Sequence, residues 1–110
     1  MRSYFIDEIS PRDMKKIEEY LRKNAIPSSI ENLFWIQIPE GILTKEQIEH
    51  KECAPYMCAI ELGKDWIKLE FFVRSSKSLR CSCTGYCTER QRSFLIDYVN
   101  RMINQLGIRT

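Results

Sequence analysis

Five cysteines and one histidine are the metal-binding and nucleophilic side chains of this 110-residue sequence, and the cysteines form two groups, Cys53 with Cys58 and Cys81 with Cys83 and Cys87. Thiolate and imidazole are the donors that zinc and iron–sulfur centres use. A metal reading therefore draws on His50, Cys53, Cys58, Cys81, Cys83 and Cys87. A thiolate is also the reactive form of cysteine, and Cys87 has the best setting for one. It precedes a helix start at Thr88, where the positive end of the helix dipole favours an anion, and Arg90 and Arg92 follow. Cys83 is the expected resolving thiol. His50, three residues before Cys53, can bind metal with it or act as a base toward Cys87; a solvated helix-end histidine is the simpler account.

Neither spacing is the C-x2-C of a strong zinc knuckle. Cys53-x4-Cys58 contains Pro55, and Cys81-x-Cys83-x3-Cys87 is irregular. Whether these sulfurs can meet depends on the elements that carry them. Ser10-Pro11-Arg12-Asp13 is an N-cap serine followed by proline at the first helical position, and it opens a helix over 11–24. Thr44-Lys45-Glu46-Gln47 and Thr88-Glu89-Arg90-Gln91 fit the capping box. The first opens a short helix ending near Glu52; the second opens a long one that carries Phe94, Leu95, Tyr98, Met102 and Leu106 and stops at Gly107.

Alternation marks strands at Leu33–Ile38, Tyr56–Leu62, Trp66–Val73 and Leu79–Cys83, with Gly63-Lys64 as a two-residue hairpin turn. The order α-β-α-β-β-β-α predicts a two-layer α+β fold: a largely antiparallel four-stranded sheet with helices packed on it, as one domain over residues 1–110. In that register Cys58, Leu69 and Cys83 make one row across three strands, so the two sulfurs stand about 10 Å apart at a strand spacing near 4.8 Å. Zinc thiolates lie about 3.7 Å apart. Cys53 and Cys87 fall at opposite ends of the sheet, and the expectation is buried core thiols with no cofactor, zinc or an iron–sulfur cluster being the alternative.

The opposite sheet face carries Met57, Trp66 and Phe72, joined by Trp35, among charged residues. Aromatic side chains mixed with arginine are typical of protein contacts, unless the short helix covers them. Arg74, Lys77 and Arg80 lie in a serine-rich turn that can take an anion, although a solvated turn explains them as well.

Composition excludes several classes. Net charge is only +2, which speaks against a nucleic-acid partner. No run approaches the ~20 apolar residues of a membrane span, and the N-terminus lacks a secretory apolar stretch, so the expected location is the cytoplasm, where thiols stay reduced. The four glycines never cluster into a phosphate loop, and no catalytic triad or nucleotide fingerprint is present. The reading is a non-enzymatic interaction or assembly domain whose partner is another protein or a second copy of itself. A cysteine-ligated metal or thiol-redox protein is the alternative.

Overall fold

The computed structural model describes residues 1–78 and 80–110. Its architecture is α+β with a mostly antiparallel sheet and three α-helices. The chain runs β1 (Ser3–Ile6), α1 (Pro11–Asn24), β2 (Ile26–Pro27), β3 (Leu33–Gln37), α2 (Lys45–Glu49), β4 (Tyr56–Leu62), β5 (Ile67–Glu70), β6 (Phe72–Ser75), β7 (Gly85–Tyr86) and α3 (Glu89–Gln105), with 3-10 turns at Glu40–Ile42 and Lys51–Cys53.

The helix starts follow their capping chemistry. Ser10 Oγ accepts the Asp13 N–H, and Thr44 and Thr88 each exchange side-chain and backbone hydrogen bonds with a glutamine three residues on. Gly107 ends α3 in the left-handed region at φ +68°. Ile17 and Leu21 of α1, with Leu95, Val99 and Met102 of α3, share one buried cluster with Phe34, Ile36, Cys58, Ile60, Leu69 and Val73 of the sheet. Burial of one face of each element thus holds the two layers together.

Among the described residues the sheet has seven strands where four are expected, in the order β1-β5-β4-β3-β2, with β6 pairing both β4 and β7. Three of the additional strands are the four-residue edge strand β1 and the two-residue pieces β2 and β7, too short to show a periodic pattern. The expected Trp66–Val73 strand is broken in two. Ile60 faces Leu69 and Met57 faces Arg74, so the two residues between on β4 oppose four on the other side. This is a bulge around Phe71, whose N–H bonds Arg2 and whose carbonyl accepts the Cys87 N–H at 2.9 Å. Because the insertion is even, Leu69 and Val73 both still point inward.

Two further expectations are corrected. The hairpin turn spans Gly63 to Trp66, closed by Gly63 N–H to Trp66 O at 2.8 Å, so Ile60 rather than Cys58 faces Leu69. A Cβ on Gly63 would run into the Trp66 indole ring, and this close approach is why glycine is needed there. The fourth strand, expected at Leu79–Cys83, is absent over its described part: residues 80–84 form turns and open loop, and Leu79 lies outside the described residues. Alternating Leu, Cys and Cys imitates the period of a strand, but these cysteines leave the sheet.

Candidate metal centre

Departure of the 80–84 loop from the sheet removes the restraint that kept the sulfurs apart. His50 ends α2 with φ −91° and ψ 62°, and the 3-10 turn after it is closed by Cys53 N–H to His50 O at 2.9 Å. Side chains three apart in such a turn eclipse one another, which puts the imidazole and the Cys53 thiol on one side. From the other direction, Cys81 and Cys83 flank a tight turn in which the Thr84 N–H and hydroxyl both bond Cys81 O, at 3.1 and 2.8 Å.

The two turns face each other. One donor atom each from His50, Cys53, Cys81 and Cys83 lies within 4.8 Å of the other three. Three sulfurs and one nitrogen this close together could hold a single soft or borderline ion, the donor type that zinc takes. An iron–sulfur cluster needs donors spread around a larger core. The His50 Nδ1–Cys81 Sγ separation is 2.9 Å, a hydrogen-bond length. A tetrahedral zinc would part these atoms to about 3.6 Å, a side-chain rotation rather than a backbone rearrangement.

Electrostatics centre on Cys81. Hydrogen bonds from the Cys83 thiol, then the Cys83 N–H, with His50 and Cys53 behind them, bring the Cys81 thiol down to about 7. The Cys83 N–H lies 3.4 Å from Cys81 Sγ. Burial pushes Cys83 up to about 12 and raises Cys53. His50 is raised, first by its hydrogen bond to Cys81. Cys81 is thus the thiol of the group that loses its proton most readily, and a divalent cation would displace the remaining thiol protons.

The surroundings fix the ligand-bearing backbone. Tyr56 directs its hydroxyl at the carbonyls of Gln47 and His50, each 2.9 Å away. Ser75 Oγ donates to Cys53 O and accepts the N–H groups of Lys77 and Ser78. Gln47 Nε2 donates to Cys83 O at 3.2 Å, while Gln91 Nε2 donates to Gln47 Oε1 at 2.9 Å and to Ile42 O at 3.0 Å. Both glutamines are buried, and their network joins α2, α3 and the Cys83 turn. Sequence reasoning assigns these glutamines only a capping role. The available signal is that both boxes use glutamine where glutamate would cap equally well, since only the amide can also donate.

The other candidates separate. Cys58 and Cys87 take no part in the four-donor group; their sulfurs lie 3.9 Å from each other. Cys87 therefore neighbours Cys58, and Cys83 belongs with the metal donors. Trp35, Met57 and Phe72 line an open groove of about 270 Å3 together with Arg74, Ser76 and Thr84. The short helix does not line it. Trp66 lies elsewhere, its ring tilted by 32° against Phe5 at 5.4 Å between ring centres. Of the anion candidates, Arg74 pairs with Glu70 at 3.4 Å and lies 4.9 Å from the Phe72 ring centre, while Lys77 and Arg80 are exposed.

Against protein-family models, curated proteins and solved structures, no match to the chain is found. No helix among the described residues is long and apolar enough to cross a membrane.

Proposed function

We propose that this chain is a zinc-stabilised, non-enzymatic protein-interaction domain. The observation that carries the reading is the convergence of His50, Cys53, Cys81 and Cys83 to within 4.8 Å. Four protein donors fill the tetrahedron and leave no position for a substrate or an activated water, which is the pattern of a structural rather than a catalytic zinc. The ion joins the α2 end to the loop before β7, adding to the Gln47–Cys83 hydrogen bond between them.

That loop is also one wall of the groove. Ser76, Ser78 and Thr84 belong to the segment that carries Cys81 and Cys83, and they face Trp35, Met57 and Phe72 across about 270 Å3. The zinc sets the shape of this wall, and the groove receives an apolar side chain of a partner protein, most simply a second copy, with Arg74 at its rim.

Light scattering on zinc-loaded protein tests this reading. Self-association that is lost with Phe72→Arg, and lost again when zinc is removed by a chelator, is the expected result. A zinc-loaded monomer indifferent to Phe72→Arg and to chelation would count against the groove as a contact between copies.

A further inference from the structure

Two thiols remain that the metal centre does not use. Cys58 is fully buried in β4, directly beneath the core helices, and Cys87 is half-buried just before α3. Their sulfurs lie 3.9 Å apart. The approach is built by the bulge: Cys58 is one of the two β4 residues opposite it, and Cys87 is hydrogen-bonded through its N–H to Phe71 O at 2.9 Å. The two backbones that bear the sulfurs are thus fixed in place from the same irregularity.

We propose that Cys58 and Cys87 form a dithiol oxidised by hydroperoxides, with Cys87 the attacking sulfur and Cys58 the resolving one. The assignment of roles follows from access and charge. Of the two, Cys87 is the one open to a solvent-borne oxidant, Cys58 being buried. Its thiol is lowered, first by the Cys58 hydrogen bond and with help from Arg92, whereas Cys58 is raised by the same contact and by burial. The lower-pKa, accessible sulfur reacts first and its neighbour resolves it.

The chemistry balances. Cys87 thiolate attacks the terminal peroxide oxygen; the S–O bond forms, the O–O bond breaks, and the alkoxide or hydroxide leaves and takes a proton. Sulfur is oxidised to sulfenic acid and the peroxide is reduced to an alcohol or water. Cys58 then attacks the sulfenic sulfur; the S–S bond forms, the S–O bond breaks, and the hydroxyl departs as water with the Cys58 thiol proton. The resulting disulfide ties the start of α3 to the central strand β4. Formation requires the sulfurs to close from 3.9 Å to about 2.0 Å, within reach of a side-chain rotation.

The pair uses none of the four donors of the proposed zinc site, but that Cys87 is oxidised before Cys81 rests on the zinc reading, because a bound ion would mask the Cys81 thiol. The test adds increasing hydrogen peroxide to the protein as purified, with whatever metal it carries, and maps the cysteines by peptide mass spectrometry. A Cys58–Cys87 disulfide as the first product, reversed by dithiothreitol, is expected. In Cys58→Ala, a sulfenic acid at Cys87 should be trapped by a 1,3-diketone reagent, and Cys87→Ser should abolish the disulfide. Alkylation of Cys87 should also exceed that of Cys58 by at least about tenfold. Sulfinic acid at Cys87 with Cys58 still free, or no Cys58–Cys87 disulfide at any peroxide level, would overturn the proposal, whereas oxidation of Cys81 before Cys87 would count against the bound zinc.

Discussion

Replacing Gln47 with methionine tests whether the Cys81–Cys83 loop is fastened to the helical layer through the buried amides. Methionine keeps the side-chain length and removes every hydrogen bond of the side-chain amide. The Thr44 N–H loses its cap, Cys83 O loses its 3.2 Å donor, and Gln91 Nε2 loses one of its two acceptors. Loss of a cap costs about 1 kcal/mol. An orphaned buried acceptor adds about 1 to 3 kcal/mol. A total near 3 kcal/mol follows, and because each kcal/mol moves the midpoint of a domain this size by roughly 4 °C, the melting temperature should fall by about 12 °C. Thr44→Ala is the control, since it removes only the contact from Gln47 N–H, at 3.1 Å, and should cost about 1 kcal/mol. Thermal and urea unfolding of both variants, with metal content held equal, gives the comparison. If Gln47→Met costs no more than Thr44→Ala, the amide network is not what anchors the Cys83 turn.

Two other predictions bear on the frame around the site. Gly63→Ala forces the Trp66 ring off its place and should destabilise by about 2 kcal/mol with a changed near-ultraviolet dichroism signal; an unchanged spectrum and stability would refute the close approach. Stability should also decline with alkali. Cys58 is held neutral by its contact with Cys87 and by burial, and Tyr56 by burial, so both folded pKa values are raised. The unfolded chain releases these protons first, near 9.0 and 10.0, and the folded state loses ground as pH rises past 9.0. Urea midpoints that hold steady or rise across that range would contradict the assignment.

Much of the scaffold is legible in local chemistry. Ser10-Pro11 and the two Thr-x-x-Gln boxes name three helix starts, since the signal for an orphan N–H is confined to four residues. Tyr56–Leu62 is readable because its alternation is long and its inward residues are strongly apolar. The site is less legible, because it depends on what interrupts the sheet. An even-numbered bulge around Phe71 leaves the inward pattern of Leu69 and Val73 intact, so periodicity carries no trace of it. Cys81-Ser82-Cys83 has the period of a strand and the geometry of a turn, because ligand spacing and strand pleat both recur every second residue. Once that segment is taken for a strand, Cys83 is placed in a row with Cys58 and the four candidate donors diverge. Their meeting is a long-range fact, made by Gln47, Tyr56 and Ser75, whose partners lie far off in sequence or in irregular backbone.

The central claim is that His50, Cys53, Cys81 and Cys83 hold one zinc ion. X-ray absorption on protein purified without chelator tests it most directly. The expected spectrum shows one zinc per chain with three sulfur neighbours at about 2.3 Å and one nitrogen near 2.0 Å. Its nitrogen shell should vanish in His50→Ala, and Cys58→Ala should leave it unaltered. Absence of zinc, or a zinc shell that responds to Cys58→Ala and not to His50→Ala, would contradict the account.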